Sequence, residues 1–413
     1  MKILQINKFF FLKGGSERYF FDLSELLFKK GHEVIVWSTQ NPKNLSWPRQ
    51  ELFANYNDFS EKENIFKKLF KAQRILWNKE AKRKLEKVIK EEKPDIVHLH
   101  NISTHFSPSI IFALKKHGIP IVMTLHDYKL FCPNYQFFSQ GETCFDCLKK
   151  KNYSSCISKK CIKNSWIQSF GGYLEGIWHK DFLKIADKID IFLTPSIFMK
   201  RKAVEWGIPN EKVIHLPNFI DENYISKKSE NKKQSNYFLY FGRLSHEKGI
   251  ELLIKAFSKT KDELSDWQMK IVGDGPEKER LRNLAKEQKR IEFLGEKKGK
   301  ELKEIIINAN LVVIPSIWPE NFPYSALESF ALSKPVIAAK NGGLTELIKD
   351  RKTGLLFKSG NEKDLIEKLI WANDYKEELK QMGKMAKKEV LDKYNPEKHY
   401  QKLIKVYERI KNN

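Results

Sequence analysis

No stretch of the 413 residues approaches the roughly 18 consecutive apolar residues that a membrane-spanning helix needs. The N-terminal MKILQIN runs straight into a strand-like segment, without a charged leader, a long apolar core or a small-residue cleavage site. A cytoplasmic chain, soluble or peripheral at the inner face of the cell membrane, is therefore expected. Neither a Gly-x-Gly-x-x-Gly nor a Walker pattern is present, so the two commonest phosphate-cradling fingerprints are excluded. Arginine is scarce beside lysine, and there is no Arg-rich tail, RNP-like aromatic box or zinc-finger spacing. That argues against nucleic acid as the partner. Cysteine is rare too: five residues, all between 132 and 161.

Positive charge is abundant. Lys plus Arg number 75 against 52 Asp plus Glu, a formal charge of +23. Residues 1–200 hold 33 basic and 20 acidic residues, and 201–413 hold 42 and 32, so the excess belongs to both halves. Such a balance suits nucleic acid, an anionic membrane or phosphorylated small molecules. With 41% hydrophobic residues, the chain is globular, and its length suits two or three domains.

Short apolar strands alternate with amphipathic helices, the pattern of a parallel α/β protein. The strands expected in the first half are Lys2–Ile6, Glu33–Ser38, Ile96–His100, Pro120–Thr124 and Ile189–Thr194. Those in the second are Tyr237–Phe241, Met269–Val272, Ile291–Leu294, Leu311–Ile314, Pro335–Ala338 and Gly354–Phe357. A helix is expected over Glu17–Lys30, stopped by Gly31, and a last one over about Pro396–Ile410. The polar stretch 221–236 reads as an exposed connection between two Rossmann-like series. The division is 1–220, 221–395 and a terminal helix 396–413 placed to lie across either domain, the first included. Two such domains facing one another bring the carboxyl ends of both sheets to one cleft.

Four motifs follow strands. In IPSIWPENFPYSALESF, Glu320 lies in a loop and a helix is expected to open at Pro323. The N–H groups of Asn321 to Tyr324 and the helix dipole suit a diphosphate, while Glu328, a turn further on, suits hydroxyls. A solvated Glu pair beside a helix cap is the plainer alternative. In FGRLSHEKG, Arg243 and Lys248 can close on phosphate oxygens, or be two more surface cations. In KGGSE, Gly14 and Gly15 permit close backbone approach to a phosphate, or form an ordinary tight turn. In LHDY, His126 can donate to a sugar hydroxyl or to a transferring group, or be structural. His98 and His100 read as packing or cleft-wall residues, and GDGP as an architectural turn.

With these motifs in order (GGSE, KPDIVHLHN, the HDY loop, FGRLSHEKGIELLIKAF, IVGDGP and PENFPYSALESFALSKPVIAAKNGGLTELI) the chain resembles glycosyltransferase family 4 over nearly its whole length. The Glu-x7-Glu element from Glu320 to Glu328 is the most specific part of that likeness. The resemblance implies a GT-B fold and a retaining transfer from a UDP- or GDP-sugar to a glycan or polyprenyl-linked acceptor of a cell-surface polysaccharide. It implies that Arg243 and Lys248 neutralise the departing diphosphate, and that Glu320, Asn321 and Phe322 contact the donor sugar and phosphate. Glu328 would bind the ribose, and the main chain around Gly295 would read the base. Gly15 would close on the diphosphate, and His126 would line the donor-sugar and acceptor side. No catalytic cofactor or metal is implied, in keeping with the lack of a DxD motif in a suitable loop. No enzyme nucleophile stands out, which favours same-face transfer without a covalent intermediate. Alternatives are a nucleotide-sugar 2-epimerase of the same fold, or a basic nucleic-acid-binding or scaffold protein.

Two features lie outside that likeness. Cys144-x2-Cys147 followed by Cys156-x4-Cys161 supplies four thiolates suited to a structural zinc, with Cys132 left over. Free thiols are the alternative. The segment Asn64–Lys90 alternates apolar residues with lysines and suits either an anionic membrane or, as its main role, packing on its own domain.

Overall fold

The computed structural model describes residues 1–56, 73–221, 224 and 236–412. Residues 64–72 of the basic segment, and most of the connection read over 221–236, lie outside the described residues. The chain divides into two compact units. The first comprises Met1–Gln140, Cys144–Pro217 and the segment from His399 onward; the second comprises Gly141–Thr143 and Asn218–Lys398.

The first unit is built on six parallel strands: β1 (Lys2–Ile6), β2 (Glu33–Trp37), β3 (Ile96–Leu99), β4 (Ile121–Thr124), β5 (Ile191–Thr194) and β6 (Val213–His215). Their order across the sheet is β2-β1-β3-β4-β5-β6. The second unit repeats the plan with β7 (Tyr237–Phe241), β8 (Gln268–Val272), β9 (Ile291–Gly295), β10 (Leu311–Ile314), β11 (Val336–Ala339) and β12 (Gly354–Phe357), in the order β9-β8-β7-β10-β11-β12. Sheets covered by helices on both faces need strands that are apolar throughout. YFLYF in β7 and LVVI in β10 are buried at every position. Eleven of these strands match the expected ones within two residues at either end. The twelfth, β6, is only three residues long and half-buried, too short to carry a periodic signal.

The helices include α1 (Gly15–Lys29), α2 (Lys79–Glu92), α3 (Trp166–Ile177), α4 (Ile250–Ser258), α5 (Tyr324–Ala331) and α6 (Pro396–Lys411). α2 starts where the Asn78 side chain accepts from the Ala81 N–H at 3.0 Å, and it buries Ala81, Leu85, Val88 and Ile89. Just before it, Trp77 meets Phe112 edge-on at 5.2 Å. The described part of the basic segment thus packs its apolar stripe on its own unit. α6 is held by Tyr407, whose hydroxyl meets His98 Nδ1 at 2.7 Å, and by an ion pair from Lys411 to Asp95 at 2.9 Å.

The strand order reverses between β1 and β3 in the first sheet, and between β7 and β10 in the second. At such a point neighbouring loops diverge to opposite faces and leave a crevice at the carboxyl ends of the strands. The motif loops KGGSE and HLHN follow β1 and β3; FGRLSHEKG and the Glu320 loop follow β7 and β10.

Candidate active site

In the second unit, three loops are tied together by backbone contacts. The Ile317 N–H donates to the Glu247 carbonyl at 3.0 Å, and the Gly343 N–H to the Glu320 carbonyl at 2.7 Å. Gly249 sits at φ +69°, and a Cβ there would fall 2.1 Å from the Pro315 carbonyl oxygen. At Gly342, φ +55°, a Cβ would fall 2.3 Å from the Glu320 carbonyl oxygen. Only glycine meets both demands at each position. GDGP has the architectural role expected of it. A Cβ on Gly275 would collide with the Leu244 carbonyl, and the Asp274 carbonyl accepts from the Leu244 N–H at 2.8 Å.

Side chains converge on this frame. Lys248 Nζ donates to Glu320 Oε1 at 2.7 Å, and the Ser316 hydroxyl donates to the same oxygen at 2.6 Å. The ammonium also lies 5.0 Å from the centre of the Trp318 ring. Glu320 is 5% exposed, so its charge is sustained by these two donors rather than by water. Asn321, Phe322 and Glu328 are also buried. The Asn218 amide donates to the Phe322 carbonyl at 3.2 Å, and the Phe322 ring meets Tyr394 edge-on. Arg243 is exposed, its backbone carbonyl accepting from the Tyr240 hydroxyl at 2.8 Å. Pro323 is the cap of α5, with extended ψ of 130°, rather than its first helical residue, so the helix opens one position later than expected. Gly295 ends β9 at φ +71°.

The structure brings Lys248 and Glu320 into direct contact and sets Asn321 and Phe322 beside them in sequence. Arg243, Glu328 and Gly295 share the carboxyl end of the same unit. Ser316, Trp318 and the Gly342–Gly343 pair escape a reading of the sequence. Their signal is present in IPSIWPE and KNGG, but no spacing rule links a serine four residues before a carboxylate to its support.

In the first unit, Gly14 caps α1 and Gly15 begins it, both exposed. His126, half-buried, joins the buried His100 in an imidazole chain. His100 Nε2 donates to Gln5 Oε1 at 2.6 Å, which leaves His100 Nδ1 to accept from His126 Nε2 at 3.0 Å. His126 is therefore neutral, its pKa pushed down to about 3 by burial and by the nearby Lys8 charge. The Nε2 proton is already committed to His100, and Nδ1 is the ring's acceptor. A cavity of about 390 Å³ adjoins this group, with His126, Asp127, Lys129, Glu175 and His179 among its walls.

The proposed zinc set is not assembled. Among the described residues no group of three or more His, Cys, Asp or Glu is placed to hold a metal ion. All five cysteines are free thiols. Cys132, Cys144, Cys147 and Cys161 line one small cavity, which Cys156 does not enter. The spacing rule grouped Cys156 with the others, but Cys156 is buried in the short helix Ser154–Ser158, its carbonyl accepting from the Cys161 N–H at 3.1 Å.

Comparison with known proteins decides the family. The model for Glycosyltransferase Family 4 matches residues 13–224, a little over half of the 413-residue chain, and that for Glycosyl transferases group 1 matches 221–389. The chain belongs to glycosyltransferase family 4. This glycosyltransferase is 26% identical over 403 residues to the uncharacterised glycosyltransferase MJ1607 of Methanocaldococcus jannaschii, covering 95% of this chain and 94% of the relative. To MJ1178 of the same organism it is 33% identical over 209 residues, 48% of this chain, and it spans 58% of that relative's length. Among solved structures, Anabaena Alr3699/HepE in complex with UDP and glucose aligns with TM-score 0.68 and 17% identity, over 99% of this chain and 100% of the other. At that identity the likeness establishes the fold, GT-B, with its two parallel-sheet α/β domains.

Proposed function

We propose that this glycosyltransferase transfers a sugar, with retention of anomeric configuration, from a UDP- or GDP-sugar to a glycan or polyprenyl-linked acceptor in building a cell-surface polysaccharide. The Lys248–Glu320–Ser316 contact at the reversal point of the second sheet carries this reading. A cation fixed by a buried carboxylate, beside the start of α5, is preorganised for charge that grows on a departing diphosphate. Arg243, exposed on the neighbouring loop, adds a planar donor fork for the same phosphates. Glu328 takes the ribose hydroxyls, and the main chain around Gly295 reads the base. The UDP and glucose held by the Anabaena neighbour support a uridine donor.

In the first unit, a Cβ on Gly14 would meet only Glu17 Oε2, at an ordinary 3.7 Å. The protein's own packing does not demand a glycine there, and the bare backbone is open to a phosphate group. His126 faces the acceptor side through the adjoining cavity, which takes the acceptor sugar. Reaction proceeds on one face of the donor sugar without a covalent enzyme intermediate, at the inner face of the cell membrane.

Thermal unfolding with UDP, GDP and their sugars tests the donor site. UDP or GDP is expected to raise the midpoint, and Lys248→Ala to abolish both that shift and turnover, by ~100-fold or more, while the far-UV spectrum is unchanged. No shift with any nucleotide, or full turnover in Lys248→Ala and Glu320→Ala, would sink the assignment.

A further inference from the structure

α3 is inverted relative to an ordinary surface helix. An amphipathic helix turns its large apolar residues to the core and its polar ones to water. Here the inward face carries Ser169, Gly172, Glu175, Gly176 and, in the π-turn that continues the helix, His179. Close neighbours face the glycines: a Cβ on Gly176 would lie 2.4 Å from Tyr153 Cδ2, and one on Gly172 2.4 Å from the Ile162 side-chain tip and 3.3 Å from Pro133 Cβ. Glu175 is locked by Lys129 at 2.8 Å. The large apolar residues point the other way. Trp166 is 58% exposed, Ile167 83%, Phe170 44%, Leu174 46%, Trp178 36% and Phe182 69%.

Five of these six recur every fourth residue, a spacing that turns only about 40° per step around an α-helix, so they form one slowly winding row. Isolated exposed apolar residues are ordinary on a protein surface, whereas a contiguous row marks a binding face.

The charge around the row identifies what binds. Between residues 159 and 188 lie six lysines against Glu175, Asp181 and Asp187. Glu175 is taken by Lys129 and Asp181 by Lys180 at 3.0 Å. Lys160 and Lys163 precede the row and Lys184 follows it, all three exposed. Tryptophan and phenylalanine flanked by lysine form the signature of a helix lying in an anionic membrane interface, with rings at the headgroup level and ammonium groups on the lipid phosphates.

We propose that the outer face of α3 and its π-turn docks this protein on an anionic bilayer. This surface is distinct from the basic segment 64–90, whose described apolar residues are turned into the protein. The inward face of the same helix walls the cavity beside His126, so docking would bring that cavity's wall to the lipid surface.

The test is co-sedimentation of the full chain with phosphatidylglycerol-containing vesicles and with phosphatidylcholine vesicles, in about 0.15 M salt. Wild type is expected to partition onto the anionic vesicles. The variant Trp166→Ser/Ile167→Asn/Phe170→Ser should bind roughly a hundredfold less, with unchanged circular dichroism. Lys163→Gln and Lys184→Gln should each weaken binding about fivefold. Wild type remaining in the supernatant, or the triple variant binding equally well, overturns the proposal. So does a triple variant that alters only a monomer–dimer equilibrium by light scattering, because the face is then covered by a second copy. Vesicle binding needs no sugar nucleotide, and the UDP or GDP melting shift needs no lipid, so each proposal can fail without the other.

Discussion

At the scale of single residues, the first unit is tuned by imidazoles that the fold keeps neutral. His399 is 3% exposed, and burial pushes its pKa down to about 3, against a smaller upward pull from the Pro217 carbonyl. His98 and His100 are likewise held well below the ordinary value by burial. Below the unfolded value, near 6.5, the unfolded chain takes up protons that the folded chain refuses. Stability is therefore complete above that pH and falls as the pH drops towards the folded values, by about 1.4 kcal/mol per pH unit for each such histidine. The melting midpoint should decline from pH 6.5 to 4.5, and His399→Gln should flatten the slope; an unchanged slope would contradict the assignment. Cys161 behaves oppositely. The neighbouring Cys156 thiol, with help from Ser139 and the Lys159 charge, draws its thiol below the ordinary value, while burial raises Cys132 and Cys147 to about 12. Cys161 should be alkylated by iodoacetamide ahead of Cys132 and Cys147 at neutral pH, because its thiolate forms at lower pH than theirs. Mass spectrometry of the labelled peptides reads this directly.

At the scale of elements, the site depends on loops pinned by glycine rather than on long helices. The turn into α4 passes so close to the Pro315 carbonyl that Gly249→Ala must displace one loop or the other. A loss of about 1–3 kcal/mol is expected, accompanied by loss of the nucleotide-induced melting shift, because the same loop positions Lys248. A control, Gly360→Ala, also has positive φ but meets nothing within 4 Å. It should cost only the backbone strain, about 1 kcal/mol, and keep the shift. Equal nucleotide binding in both variants would show that the close approach at Gly249 is irrelevant to the site.

At the scale of the whole molecule, the charge of +23 is spread rather than concentrated. Many lysines are bound in short-range pairs on the surface, such as Lys115–Asp190 and Lys255–Glu251, which are worth little individually. Binding to duplex DNA is accordingly expected to be indifferent to sequence and to vanish between about 50 and 200 mM salt, as fluorescence anisotropy would report. Sequence preference, or binding that survives the higher salt, would favour the nucleic-acid reading over transfer. Among the described residues no helix is long and apolar enough to cross a membrane.

Much of this molecule was legible in its residues. Apolar runs bounded by turns marked eleven of the twelve strands of the two six-stranded sheets, because strands buried on both faces are mostly apolar. The motifs after those strands marked Lys248 and Glu320, since a charge beside a strand end and a helix start has few other uses. What the linear order could not reach were contacts between residues distant in sequence and directions around a helix. The support of Glu320 by both Ser316 and Lys248, and the commitment of the His126 proton to His100, depend on strand order. The cysteines show the same limit, because spacing in the chain does not say which thiols share a cavity: Cys132 lines it and Cys156 does not. For α3 the residue types were visible from the start, but which side faced inward was settled by two glycine contacts and one buried ion pair. Composition and periodicity thus determined the two α/β units, through local burial, and the motifs after the strands carried the likeness to the family; tertiary packing alone decided which side chains meet and which apolar face was left for a partner.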